Sequence, residues 1–408
     1  MKLGIITMLS ALHDASTVEN SHYEFISGLK KEFDVHFIDP DESDSVDFPV
    51  VFIGSGGIEN YFRNVYGSLP KPVVLLTDGM HNSLAASMEI LAWIKELGDE
   101  SIILHGSMKE IIAQIKSNYA MQNVRKRLRN TSIGVVGFPS DWLIASDVNY
   151  IEALKKWGVA FKNIEMSELS QLIADANGDS ARTVAQDFIK NAAGMKEATE
   201  EDVMNSARVY LALKELCREY KLDALTLRCF ELLNRHSMTS CLALSLLNNE
   251  GIVSGCEGDC QAAFSMLLLN LLTGSKAFIA NPSYIDAERN EIVLAHCTVP
   301  TDITNKYMIR SHFESRIGVG IQGEVEEGPV TVFKCGGNRL DKYFVCSGQL
   351  IENLDDENMC RTQIRVCLDG NVSYFFRNPL ANHHLIVKGD YSKLINEFMY
   401  STDCKRIM

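Results

Sequence analysis

At 408 residues the chain exceeds one ordinary core and implies roughly two or three domains. Hydrophobic residues make up 46% and charged residues 23%, a composition that excludes a largely disordered polypeptide. Lys and Arg number 39 against 53 Asp and Glu, and a net charge of −14 disfavours a nucleic-acid surface. The basic run Arg125-Lys126-Arg127-Leu128-Arg129 reads as a solvated helix end, where cations complement the helix dipole.

The opening Met1 to Leu9 carries one positive charge and no small-x-small cleavage site before His13-Asp14. A first buried strand is expected there rather than a secretion leader. Strands follow at Leu3–Met8, Val35–Ile38, Val50–Ile53, Val73–Leu76 and Ile102–Leu104. The predicted helices between them are Glu19–Glu32, Ile58–Val65, Ser83–Glu96 and Lys109–Arg125. Near-continuous Val, Ile and Leu runs joined by helices indicate a parallel sheet covered on both faces.

From Asn130 the pattern restarts. Strands are expected at Ile133–Gly137, Val159–Ile164, Ala224–Leu227, Ile252–Ser254 and Ala277–Ile279, with helices near Val148–Trp157, Glu200–Tyr220, Thr239–Asn248 and Cys260–Leu272. The apolar stretch Ala262–Leu272 is interrupted by Ser265 and Asn270 and falls short of the roughly 18 residues a membrane span needs. Beyond residue 285 the character changes. Glu291–His296, Val330–Lys334, Lys342–Leu350, Arg361–Leu368 and Asn371–Arg377 read as strands, and Tyr391–Tyr400 as a short helix. The expected architecture is α/β: two doubly wound, flavodoxin-like parallel-sheet domains at 1–128 and 129–285, then a β-rich, barrel-like domain at 286–408.

Eleven cysteines all lie from Cys217 onward, and their number is odd. Several sit in or beside apolar runs, which is how free thiols behave in a reducing, cytoplasmic setting. Cys256-x3-Cys260 lacks a second pair at zinc-finger spacing.

In an open parallel sheet, ligands bind beyond the carboxyl ends of the strands. Three strands of the second unit end at Arg228 to Glu231, at Gly255 to Asp259, and at Ala280-Asn281. If the last two strands are neighbours, Glu257 and Asn281 reach one ligand from adjacent ends. Asp259, directly before a helix, suits an N-cap as well as a catalytic carboxylate. Glu257, at the edge of an apolar strand, needs a metal, an Arg or a proton as partner. His296 closes a strand, and His383-His384 lies between a strand and the last helix. One carboxylate, one amide and several imidazoles at element ends, without a thiolate cluster, suit Mn²⁺ or Mg²⁺.

The run Gly251-Ile252-Val253-Ser254-Gly255-Cys256-Glu257-Gly258-Asp259-Cys260-Gln261-Ala262-Ala263, with Leu271 to Gly274 and Phe278 to Asn281, resembles the L-fucose isomerase and L-arabinose isomerase superfamily. Leu294-Ala295-His296-Cys297, Asn382-His383 with Gly389-Asp390, Leu76 to Ala85 and Gly137 to Leu143 extend the resemblance, in order, along the chain; the last two resemble the fucose-isomerase-related branch. The resemblance implies a metal-dependent aldose–ketose isomerase working by a 1,2-proton shift through an enediolate, on a pentose, a 6-deoxyhexose or a 6-substituted, for instance sulfonated, hexose. It implies Glu257, Asn281 and His383 as ligands of Mn²⁺ (Mg²⁺ or Co²⁺ as alternatives) and Glu257, His296 and Asp259 as catalytic groups. Arg228, Glu231, His81, Asn82 and Trp142 become substrate-binding candidates. It further implies a trimer or hexamer with shared active sites, acting on a small sugar; net charge and the short apolar runs argue for no nucleic-acid or membrane partner.

Position 281 departs from the pattern, because Asn stands where those enzymes carry an acid. An amide coordinates through its oxygen and exchanges no proton at neutral pH. Either Asp259, Asp286, His296 or a metal-bound water takes over the second proton transfer, or the chain is a non-catalytic sugar-binding or regulatory relative. A nucleotide-binding reading rests on Gly54-Ser55-Gly56-Gly57 alone and lacks the phosphate-loop spacing. For a sulfonated or phosphorylated C6, Arg228 and Arg310 are the candidate anchors.

Overall fold

The computed structural model describes residues 1–10 and 21–408, so the first part of the expected helix Glu19–Glu32 lies outside the described residues. The chain divides into two compact units, Met1–Asn123 and Val124–Met408.

In the first unit the strands β1 (Lys2–Met8), β2 (Asp34–Phe37), β3 (Phe48–Ile53), β4 (Val73–Leu76) and β5 (Ser101–Leu104) form one parallel sheet in the order β2-β1-β3-β4-β5. Side chains alternate across β1. Leu3 and Ile5 join one core with Phe48 and Val50, while Ile6 and Met8 join the core on the opposite face with Val51 and Ile53. Both cores exist because the sheet is covered on two sides, which is why these strands read as unbroken apolar runs.

The second unit opens with β6 (Ser132–Val136), β7 (Ala160–Ile164), the two-residue β8 (Gly194–Met195), β9 (Ala224–Leu227) and β10 (Val253–Gly255). β10-β9-β6-β7 is a second all-parallel sheet with the same doubly wound order. Its topology matches the expectation. The expectation that Ala277–Ile279 continues this sheet does not hold, because Phe278 opens β11 (Phe278–Asp286), which pairs antiparallel with other partners. A short apolar run after a helix identifies a strand but carries no record of its neighbour.

β11, β12 (Glu291–His296), β15 (Gly328–Gly336), β16 (Lys342–Asn353), β17 (Thr362–Leu368) and β18 (His384–Lys388) close an antiparallel barrel. The order is β15-β18-β11-β12-β17-β16, and β16 pairs back onto β15. β13 (Thr304–Arg310) and β14 (Gly320–Val325) form a separate small sheet with β8, and β19 (Lys405–Arg406) extends β16. Asn371–Arg377, expected as a strand, contains a short helix, Ser373–Arg377, instead. Asn371 accepts a hydrogen bond from the Ser373 amide, which starts a turn that an aromatic-rich pattern alone does not reveal. The helices Met166–Asp175 and Gly178–Asn191 were also absent from the sequence reading, although Asn177 caps the second through two backbone amides. Apolar residues of the parallel sheet and of the barrel, such as Leu225, Leu294 and Ile364, share one continuous core.

Candidate metal centre

Barrel register gathers the histidines. β11 and β12 pair with Asn281 opposite Ala295, and β11 and β18 pair with Ala280 opposite His384. The carboxyl end of β12, the middle of β11 and the amino end of β18 therefore meet at one barrel edge. β10 delivers Glu257 through the turn Cys256-Glu257-Gly258, where Glu257 and Gly258 both take left-handed backbone angles, φ +62 and +63. A side chain on Gly258 would stand 3.0 Å from the Phe138 carbonyl oxygen, so glycine is favoured by space as well as by angle.

There, Glu257 Oε1 lies 3.5 Å from His296 Nε2 and 3.5 Å from His383 Nε2. The ligand atoms of the three residues lie within 4.8 Å of one another, the only such His, Cys or acidic cluster among the described residues. Each imidazole is oriented from behind. His296 Nδ1 is 2.8 Å from Thr298 Oγ1, and His383 Nδ1 is 2.9 Å from Asp259 Oδ2. His383 is fully buried, yet its Nε2 has no hydrogen-bond partner in the protein. A buried nitrogen without a partner, facing a carboxylate at longer than hydrogen-bond length, is what a cation site looks like before the cation is counted. The donor set, one carboxylate and two imidazoles, fits a divalent ion of the Mn²⁺, Co²⁺ or Zn²⁺ type.

Burial works against the charge on Glu257, but the two flanking imidazoles outweigh it and hold the carboxyl well below the usual range. Asp259 is also fully buried, and Lys334 with His383 brings its carboxyl down to about 2. Burial opposes protonation of His383, whereas Asp259 and Glu257 favour it and raise it to about 9. Asp259 thus does several things at once. It accepts the Ala262 amide at 2.7 Å as N-cap of the helix Cys260–Thr273, orients His383, and pairs with the buried Lys334 at 3.5 Å. Lys334 was not singled out from sequence, although a lone cation inside Val330-Thr331-Val332-Phe333-Lys334-Cys335 was a readable signal of a buried partner.

His384 points the other way, as alternation along a strand demands, with Nε2 3.1 Å from Tyr374 Oη and Nδ1 2.9 Å from the Asn382 carbonyl. Burial pushes its pKa down to about 3. Asn281 does not stand alone: its Oδ1 accepts from Asn382 Nδ2 at 3.0 Å.

Trp142 borders the carboxylate, its Nε1 3.5 Å from Glu257 Oε2. The Arg228 guanidinium lies over the Trp142 ring at 5.2 Å and pairs with Asp141 at 2.9 Å. Glu231 sits 3.6 Å from Arg228 and pairs with Arg235. Arg310 is a different matter, buried and locked against Glu197 and Gln322. His81 and Asn82 belong to the first unit, after the carboxyl end of β4, in left-handed conformations with φ +49 and +59. Asn82 precedes the helix Ser83–Glu96 without capping it through its side chain. Among the described residues no helix is long and apolar enough to cross a membrane.

No protein-family model matches the chain. Curated relatives do. A protein named sulfoquinovose isomerase from Priestia megaterium is 26% identical over 227 residues, 52% of this chain and 49% of that protein. One of the same name from Alkalicoccus urumqiensis is 23% identical over 308 residues, covering 72% and 69% of the two chains. A third, from a Clostridium species, is 23% identical over 258 residues, covering 62% and 56%. The match spans about half the length of the Priestia protein, and these similarities fit an isomerase family.

Proposed function

We propose that the chain is a divalent-cation-dependent aldose–ketose isomerase acting on a hexose with a sulfonate at C6. The observation that carries this reading is Glu257 between two imidazoles, one of them buried with an unpartnered nitrogen. The names of the relatives support the sulfonated sugar.

Glu257, His296 and His383 would hold the cation, with Mn²⁺ preferred and Asn281 beside them. When bound, such an ion neutralises negative charge developing on the sugar oxygens at C1 and C2. Glu257 takes the proton from the carbon next to the carbonyl and returns it to the neighbouring carbon. Ionised across the working pH range, it can act as a base without prior deprotonation. Asn281 orients a sugar hydroxyl and moves no proton, so the O1–O2 exchange falls to His296 or solvent. Asp259, sealed from substrate, serves His383 by fixing its Nδ1–H and leaving Nε2 outward. Arg228, partly open and stacked on Trp142, is the sulfonate anchor, in preference to the locked Arg310. His81 and Asn82 contact the substrate from a neighbouring subunit of a trimer or hexamer, an assembly that sedimentation velocity will reveal.

The test is conversion of sulfoquinovose to its ketose with Mn²⁺, abolished by a chelator. Glu257→Gln should remove turnover while circular dichroism stays unchanged. Arg228→Met should raise KM for the sulfonated sugar on the order of tenfold to a hundredfold and leave a 6-deoxy sugar unaffected, as loss of one charge-assisted contact requires. Asn281 favours one second reading, a sugar-binding relative without turnover. Affinity for the sugar without ketose would establish that instead.

A further inference from the structure

Two of the three cation-binding side chains have a cysteine next to them in the chain: Cys256 precedes Glu257 and Cys297 follows His296. Cys256 is buried, and its thiol donates to Cys229 Sγ at 3.3 Å. Both residues follow the carboxyl ends of β9 and β10, which pair in parallel with Thr226 opposite Gly255. The sulfurs need to close from 3.3 Å to about 2.05 Å, which draws Cys256 toward Cys229. Cys229 is half-buried and begins the helix Cys229–His236.

We propose that Cys229 and Cys256 form a hydroperoxide-sensitive dithiol whose oxidation to a disulfide displaces Glu257 and weakens the metal centre. Cys229, having given its proton to solvent, attacks one oxygen of hydrogen peroxide as the O–O bond breaks, giving a sulfenic acid and releasing the other oxygen as hydroxide, which takes up that proton as water. The Cys256 sulfur then attacks the sulfenic sulfur. The S–S bond forms as the S–O bond breaks, and the hydroxyl leaves with the Cys256 proton as a second water. Two thiols lose two electrons in all, and one peroxide accepts them. Glu257 feels the closure because it follows Cys256 directly and sits in a left-handed turn with Gly258. A disulfide that draws Cys256 toward β9 pulls the carboxylate away from His296 and His383.

The experiment treats the full chain with hydrogen peroxide and maps disulfides by non-reducing peptide mass spectrometry. The same samples are titrated with Mn²⁺ alone, followed by electron paramagnetic resonance. The expected result is a single Cys229–Cys256 cross-link, loss of two thiols, and Mn²⁺ binding weakened by about tenfold or more, all reversed by dithiothreitol. Cys229→Ser should bind Mn²⁺ like the untreated wild type, both before and after its own peroxide treatment. A cross-link between any other cysteines in its place, sulfinic acid at Cys229 without any cross-link, or a cross-linked protein with unchanged Mn²⁺ affinity overturns the proposal. Absence of Mn²⁺ binding in the untreated protein would count against the cation-dependent isomerase reading and remove the switch with it. The cross-link map separates the two failures, because thiol pairing does not depend on the cation.

Discussion

His383 gives each ring nitrogen a different partner, Asp259 behind and the Glu257–His296 cluster in front. Its raised proton affinity, to about 9, makes the proton a competitor of any cation for the imidazole at neutral pH. Cation affinity is therefore expected to rise with pH up to about 9, with close to one proton released per Mn²⁺ bound at pH 7.5; calorimetric titration in buffers of different ionisation enthalpy measures it. The folding consequence in the stripped protein has the opposite sense. Protonated His383 stabilises the fold fully below its ordinary pKa, and that contribution is lost as pH rises through about 9. Asp259 contributes above the ordinary carboxylate range and is lost only as pH falls through about 2. Lys334 supports the same network from a fully buried position. Lys334→Met should cost about 3 kcal/mol in denaturant unfolding, since it strands a buried carboxylate. Adding Asp259→Asn to that variant should recover part of the loss, which separates charge from packing.

Among the elements, the β10 turn is the most constrained. Gly258→Ala is expected to destabilise by about 1–3 kcal/mol and to weaken Mn²⁺ binding together, because the added carbon meets the Phe138 carbonyl. Chemical denaturation and a Mn²⁺ titration on the same variant check both halves. Much at this scale was readable from the chain. The strands of the first unit are apolar runs buried on two faces, and Asp259 looked like the N-cap it is. Strand partners were not readable. Phe278–Ala280 has the same composition whether it joins a parallel sheet or a barrel, and only long-range pairing with β18 and β12 decides. The choice between His383 and His384 depended on which face of β18 each occupies, a one-residue question of register.

At the scale of the molecule, the second unit joins a parallel sheet and a closed barrel through one core, and the candidate metal site draws one residue from the sheet and two from the barrel. A cation that binds only the folded arrangement must raise its stability. With Mn²⁺ at a hundred times its Kd, the gain should be about 2.7 kcal/mol, read as an upward shift of the thermal midpoint that excess chelator reverses. The sequence by itself determined most of the first unit's elements, the doubly wound class and the strand-end position of Glu257, because periodicity, caps and strand-end chemistry are local properties. Tertiary structure decided that His296 shares the cluster, that Asp259 and Lys334 are sealed behind it, and that Cys229 meets Cys256. Those are contacts between segments 27 to 126 residues apart, and their distances are set by barrel closure and sheet order, which no window of the chain contains.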